Sequence, residues 1–235
     1  MLKATHGIIK KSTPPAVLAL DGAIEFNGTD TSNLSIGNDT NLAVGTSQFT
    51  IEWYQYQTDS MSWPRIFAIG TVPGSNSIGV SIESGIFYFW INGSPYSFGS
   101  AMSTSVYKNK WVHFAVSRDV SNNIRVFRDG SQLGSTVVNN YNFNNTSTAL
   151  RIGNETITST NSSYGGWLSN FRWVKGTALY TANFNRPLTP LTNVAGTELL
   201  LLATTNGTVT TDSSSRARTV TANNVTWQAF SSTMV

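Results

Sequence analysis

The side chains able to do chemistry are few: 235 residues contain twelve acids, two histidines and no cysteine. Cleaving a glycosidic bond takes two carboxylates flanking it, one protonated and one ionised. No strand-like window here carries two acids on neighbouring positions of one face. Glu25 and Asp30 straddle Gly28, and Asp119 and Asp129 fall on separate turns. A Ser-His-Asp relay needs a positioned histidine, yet His6 lies near the start and His113 sits inside an apolar run with no motif around it. Without cysteine there is no thiolate nucleophile, no thiolate zinc site and no disulfide framework. No Gly-rich phosphate loop is present either. The expectation is therefore a chain that is not an enzyme and has no resident cofactor. What remains is recognition. Sugar rings pack on aromatic platforms with a few polar groups placed around them, and Trp63 beside Pro64, Tyr96 and Tyr164 lie between strand-like runs. They are the candidate glycan-binding residues, although aromatics in a sandwich also fill cores. Alternation places Trp53, Trp90, Trp111 and Trp173 in the core.

Charged residues make up only 11% of the chain and the net charge is +3, so Ser, Thr, Asn and Gly must supply solubility. That composition fits many short strands joined by small polar turns rather than a helical enzyme. The basic residues are scattered apart from Lys3, Lys10 and Lys11 near one end and Arg216 and Arg218 near the other. A nucleic-acid partner is not expected, because a clustered basic face is missing. No run approaches the length of about 20 apolar residues that spans a membrane. Ala16–Leu20, preceded by Pro14-Pro15, is too short for a signal-peptide core.

The elements that must position any site are read from alternation and turn residues. Residues 1–20 carry no strand pattern and read as an extended arm, with Lys3, Lys10 and Lys11 as its assembly contacts. Residues 21–235 read as one domain. Phe49, Ile51 and Trp53 fall on one face of a strand, and Thr50 and Glu52 on the other. Arg65–Ile69, Ser77–Ile82 and Ile86–Ile91 follow, the last two joined by a hairpin-length gap. Trp111–Arg118 pairs with Asn123–Arg128, and Asp129-Gly130 turns the chain into Gln132–Val138. Two polar loops, 139–148 and 154–163, lack evident apolar anchors and are candidate binding loops. Trp167–Val174 reads as a strand presenting Trp167, Phe171 and Trp173 on one face. Ala178-Leu179-Tyr180 suits one turn of 3₁₀ helix.

Trp111-Val-His-Phe-Ala-Val-Ser-Arg118 with Ile124-Arg-Val-Phe-Arg-Asp-Gly130, and above all the run from Gly166 through Phe171-Arg172 to Leu191, resemble laminin-G-like domains of the concanavalin A-like lectin/glucanase superfamily. The resemblance covers roughly residues 23–228. It departs from many relatives in having Ser169 and Asn170 where two acidic residues are common. It implies an all-β, two-sheet antiparallel jelly-roll sandwich with its first and last strands paired. It also implies calcium as a conceivable cofactor, with Asp119 and Asn122 the best candidate ligands. Turn formation accounts for the same two residues.

Sugar binders, adhesion modules, glycosidases and capsid or fibre components all share this fold, so fold alone does not select a role. The likeness to versions found in phage tail and large-virus structural proteins favours a structural virion protein, a minor capsid, decoration or tail-fibre component on the virion surface. Its partners would be other virion proteins or copies of itself. The alternative is a glycan-binding, lectin-like module that attaches to cell-surface glycans.

Overall fold

A computed structural model describes residues 18–37, 39–58, 62–155 and 161–230. Lys3, Lys10 and Lys11 of the expected arm lie outside the described residues. Alternating apolar runs become fifteen strands among the described residues. In chain order they are β1 (Gly22–Asn27), β2 (Asn33–Ile36), β3 (Phe49–Gln57), β4 (Arg65–Ile69), β5 (Ile78–Glu83), β6 (Ile86–Ile91), β7 (Ser94–Phe98) and β8 (Trp111–Arg118). There follow β9 (Asn123–Arg128), β10 (Ser131–Val138), β11 (Leu150–Ile152), β12 (Gly165–Lys175), β13 (Thr197–Leu201), β14 (Val220–Asn223) and β15 (Val225–Ala229).

They form two antiparallel sheets, an all-β sandwich as the sequence predicts. One runs β10-β9-β8-β3-β12-β1-β15, with β13 also on β12; the other runs β14-β2-β11-β4-β5-β6-β7. The first and last strands pair, Ile24 opposite Trp227. Tight turns set the register: Ser84-Gly85, Asn92-Gly93 and Asp129-Gly130 all have positive φ, the conformation that two-residue hairpins require. At Gly130 a side chain is excluded twice over, by its φ of +81° and by the Phe184 carbonyl oxygen 1.9 Å from where a Cβ would sit.

The inner faces meet in an aromatic core. Trp53 is fully buried, with the rings of Phe67, Phe87, Phe114 and Phe171 all within 6.4 Å of its centroid. The predicted facing of β3 holds, but its other face is not wet. Thr50 and Glu52 are as buried as Phe49 and Ile51, because the segment 176–196 lies across the outer face of the larger sheet. That strap is fixed by Leu179 N–H donating to Thr50 Oγ1 at 2.8 Å, Tyr54 Oη donating to the Pro187 carbonyl and Phe184 N–H donating to the Gly130 carbonyl at 2.9 Å. Its Ala178–Tyr180 stretch takes no 3₁₀ turn; Tyr180 instead stacks on Phe184 with centroids 3.6 Å apart and reaches down to Glu52.

Glu52 is the anchor under the strap. Arg172 Nε donates to its Oε1 at 2.9 Å, and Tyr180 Oη donates to Oε2 at 2.9 Å. His113 Nε2 lies 3.0 Å from Oε2. Burial alone would push the Glu52 pKa up, but the attraction of His113 and Arg172 holds it below the ordinary carboxylate range. His113 is thus a buried partner of a carboxylate within a sheet.

Three expectations are corrected. A bulge in β12 between Ser169 and Arg172, with Asn170 at φ 53°, shifts the alternation by one residue. Phe171 and Trp173 stay inside, whereas Trp167 turns to the outer face and meets Tyr56, 5.3 Å between centroids. The loop 139–148 does have an apolar anchor: Phe143 is buried in the core and exchanges backbone hydrogen bonds with Gly45 at 2.9 and 3.1 Å. Arg118 sits over its ring and donates to the carbonyls of Gly45, Ser47 and Tyr141. Finally, the fold takes in the last residues of the expected arm. Leu18 and Leu20 are buried with Ala23, Tyr54 and Trp111, and Ala19 N–H donates to the Leu188 carbonyl at 2.8 Å.

Removing one partner of a buried ion pair leaves the other charge uncompensated, which costs about 3–5 kcal/mol. Glu52→Gln should therefore lower the unfolding free energy by that order in urea titrations at pH 7. A loss below about 1 kcal/mol, the scale of an exposed pair, would show that Glu52 does not anchor the strap.

Candidate functional site

The strap covers the centre of the outer face of the larger sheet; on the outer face of the seven-stranded sheet β4 and β5 are covered, and β6 keeps half-buried side chains. Its side chains follow from register. Phe87, Phe89 and Ile91 of β6 are buried in the core, so Tyr88 and Trp90 face outward. Trp90 lies opposite Gly79 of β5 on one side and Pro95 of β7 on the other. Ser81 and Glu83 share the face, and Arg65 of β4 is opposite Ser81. The turn after β4 folds back so that Val72 packs on Gly79, where a Cβ would come within 3.2 Å of Val72 Cγ2.

These residues build a cleft of about 490 Å³ with Trp63, Pro73 and Trp90 on its walls and Arg65, Glu83 and Glu155 at its base. Trp63 is 49% exposed, a large apolar surface left in water at the mouth of a concave site. Its position is set by its N–H donating to the Asn161 carbonyl at 2.9 Å. Trp90 is half-buried, ordered from below by its Nε1 donating to Ser81 Oγ at 2.8 Å and by Ser81 Oγ donating to Glu83 Oε1 at 2.6 Å.

Arg65 is buried and turned inward. Nη1 donates to Glu83 Oε1 at 2.8 Å, Nη2 to the Val72 carbonyl at 3.3 Å, and Nε lies 3.7 Å from Glu155 Oε2. Its guanidinium carbon is 4.8 Å from the Trp90 ring centroid, a cation–π contact that holds the indole flat on it. Glu155 Oε2 also accepts the Val72 N–H at 2.9 Å. Two carboxylates thus flank one guanidinium, which donates from Nη1 and Nη2 and leaves its buried Nε without a hydrogen bond. The base of the cleft carries a net negative charge under an aromatic wall.

Of the sequence candidates, Trp63 alone lies in this cleft. Tyr96 faces inward: it is opposite Phe89, packs against the core, and its Oη accepts from Asn139 Nδ2 at 3.1 Å. Tyr164 is fully buried, edge-on to Phe26, with its Oη donating to the Trp167 carbonyl at 3.2 Å. It packs the core and offers no ring face to a ligand. The core expectation for Trp53 and Trp173 holds, and Trp111 is buried in the smaller cluster beneath the strap side. For Trp90 it fails. Every residue of β6 is apolar or aromatic, so alternation could not tell the inner set from the outer. Glu83 and Glu155 are 72 positions apart in sequence, and only the placement of Glu155, shortly after β11, against Arg65 of β4 brings them together. A weak signal existed in Arg65, a charged residue opening an otherwise apolar strand.

The calcium candidates resolve as a turn. Asp119 Oδ1 accepts the N–H groups of Ser121 and Asn123 at 2.9 and 3.0 Å, and Oδ2 accepts from Asn123 Nδ2 and from Arg125 Nη1 at 3.0 and 2.7 Å. Asn122 takes the left-handed conformation at φ 61° and its N–H closes the turn on the Asp119 carbonyl. A cation at Asp119 would have to displace Arg125. Among the described residues no three His, Asp or Glu side chains come together as a metal site.

Two antiparallel sheets packed face to face, with first and last strands paired, define a concanavalin A-like jelly roll. The chain belongs to the Laminin G 3 family of the Concanavalin A-like lectin/glucanases superfamily, whose model matches residues 27–180. No curated protein matches the sequence. Among solved structures it is similar to a candidate carbohydrate binding protein from Bacteroides ovatus ATCC 8483, at 16% identity and TM-score 0.69, covering 91% of this chain and 61% of that one. It is also similar to the heptameric SAP-like pentraxin from Limulus polyphemus, at 16% identity and TM-score 0.52, over 89% and 95% of the two chains. The binding domain of Paraclostridial Mosquitocidal Protein 1 matches at 15% identity and TM-score 0.54, over 71% of this chain and 44% of that one. The chain therefore spans less than two thirds of the first and third of these proteins, and at such identities the shared property is the fold.

Two substitutions separate surface from core. Although burial opposes it, the hydrogen bonds from Arg125 and Asn123 hold the Asp119 pKa down at about 2, against an ordinary value of 3.8. A depressed carboxylate contributes stability that is present above its unfolded pKa and lost as pH falls through the folded one. Asp119→Asn should thus destabilise by about 1–2 kcal/mol at pH 7, with the gap from wild type closing between about pH 4 and pH 2 in urea titrations. Tyr164→Ala should cost about 3–5 kcal/mol, as other large core truncations do, and should depress every binding activity only through folding.

Proposed function

We propose that this chain is a glycan-binding module and that its site is the cleft between Trp63 and Trp90. The cleft itself carries the reading. An exposed indole and a second, pre-ordered indole offer apolar ring faces, and carboxylates at the base offer acceptors for hydroxyl groups. Concave, largely preformed sites with apolar walls and a few placed polar groups are the usual form of a small-molecule site. Support also comes from the family's lectin-type fold and from the carbohydrate-binding and toxin-binding-domain neighbours. They favour this role over the virion component expected from the sequence.

The electrostatics refine the ligand. Glu83 and Glu155 outnumber Arg65 at the base, so this cleft favours neutral sugars over sialylated or sulphated ones. Glu83 and Glu155 are bound to the same guanidinium rather than set on either side of an open space, and the reading assigns them binding rather than bond cleavage.

A glycan array probed with the full chain should show retention on neutral oligosaccharides. Trp63→Ala should weaken the strongest of these by roughly tenfold or more, as loss of one stacking face is worth about 1–2 kcal/mol. Because Trp63 is half exposed, its thermal midpoint should barely move. Absence of binding across a broad array, or binding untouched by both Trp63→Ala and Trp90→Ala, would remove the cleft from consideration.

A further inference from the structure

A second hollow, of about 570 Å³, lies on the same face toward its other edge, lined by Asp30, Thr31, Asn33, Arg151, Asn223 and Asn224 among others. Arg151 belongs to β11, where Leu150 and Ile152 are in the core and Arg151 is opposite Ser35 on one side and Ala68 on the other. Ala68 is opposite Gly79, and Gly79 opposite Trp90. Arg151 and Trp90 are thus three strand spacings apart, roughly 14 Å. The two sites share a sheet and no side chain.

Among the described residues Arg151 forms no ion pair, and the same is true of Arg128. Arg65, Arg125, Arg172, Arg186, Arg216 and Arg218 each meet a carboxylate, and Arg118 is capped by backbone carbonyls. Among the described residues Arg151 donates only from Nη1 to Asn33 Oδ1 at 3.0 Å, and its buried Nε has no acceptor. Asn33 cannot turn to serve it better, because its Oδ1 also accepts from Asn223 Nδ2 at 3.0 Å. A buried donor left without an acceptor is unfavourable, and a ligand oxyanion relieves it. The planar guanidinium is matched to a carboxylate in particular. Asp30 stands in the same hollow, its Oδ1 accepting from Ser163 Oγ at 2.8 Å and its carbonyl from Asn154 Nδ2 at 2.7 Å. Its carboxylate would repel an anion that brings no hydrogen-bond donors of its own, and would accept from hydroxyl groups that accompany one.

We propose that this hollow binds an acidic sugar residue: its carboxylate is received by Arg151, and its ring hydroxyl groups by Asp30 and the side-chain amides of Asn223 and Asn224. Site and ligand are independent of the Trp63–Trp90 cleft, so either assignment can fail alone.

The test titrates the full chain with oligogalacturonate, with its neutral methyl ester and with inorganic phosphate, following the Arg151 Nε–Hε resonance by NMR. Oligogalacturonate should move that resonance saturably, and the methyl ester and phosphate should not. Arg151→Gln should weaken binding by roughly tenfold or more, the scale of a lost charge-assisted pair, and Trp63→Ala should leave it unchanged. Should Arg151→Gln fold poorly, Asn223→Ala at the rim should still weaken the acid measurably. No saturable shift in the wild-type protein, equal binding of the methyl ester or of phosphate, or full affinity in Arg151→Gln would overturn the proposal. Loss of acid binding in Trp63→Ala alone would overturn it too, by placing the acid in the other cleft.

Discussion

Glu52 sits at full burial in the middle of β3, and the outer side of the larger sheet is organised around that fact. An ionised carboxylate can stay inside a sandwich only with compensating charge and hydrogen bonds. Arg172 comes from β12 and His113 from β8, the two strands that flank β3, and Tyr180 comes from the strap above. The carboxylate thus ties three strands to the segment 176–196. The same segment is fastened through Thr50, Tyr54 and the Gly130 carbonyl, and through Arg172 Nη1 donating to the Thr192 carbonyl at 2.7 Å. Its aromatic residues Tyr180 and Phe184 then cover Phe127 and the ring of His113.

With the centre of that face covered, the two hollows lie on the seven-stranded sheet. Two arginines on it show how differently one residue type can be used. Arg65 pairs with Glu83 and Glu155, donates to the Val72 carbonyl and lies under Trp90. Arg151 has one amide partner and no ion pair among the described residues. The buried Nε of each lacks a hydrogen bond, but only Arg65 has carboxylates against it. Between them the β4–β5 turn lies over Gly79, which separates an aromatic cleft from a polar hollow on one continuous sheet.

Relatives at 15–16% identity keep the sandwich, because a core of the right volume and pattern specifies the fold while tolerating many sequences. Sites are grafted on such folds and do not travel with them. The residues of the two hollows therefore have to be argued from their own geometry, and the departures at Ser169 and Asn170 are an example. Asn170 occupies a bulge and its Oδ1 accepts the Leu191 N–H at 2.6 Å, so it holds the strap, whereas Ser169 Oγ donates to the Gly22 carbonyl of β1.

The sequence by itself determined the layered β architecture and most strand positions, since period-two alternation and Gly- or Asn-containing turns are local signals that survive folding. It determined the inner face of β3, while for Trp63, beside a proline between strands, it left core and surface readings open, and for Asp119 it offered both a turn and a calcium ligand. It could not determine the facing of β6, where all six residues are apolar, nor of Trp167, where a single bulge inverts the alternation. It mistook Tyr164 and Tyr96 for surface platforms because a tyrosine near a loop looks the same whether its ring points in or out. Only the tertiary structure decided that Thr50 and Glu52 lie under a strap, that Glu83 and Glu155 converge on Arg65, and that Arg151 makes no ion pair among the described residues. The physical reason is common to all of these. Burial of a face and pairing of a charge depend on what a distant segment lays across the sheet, and periodicity along one strand carries no information about that.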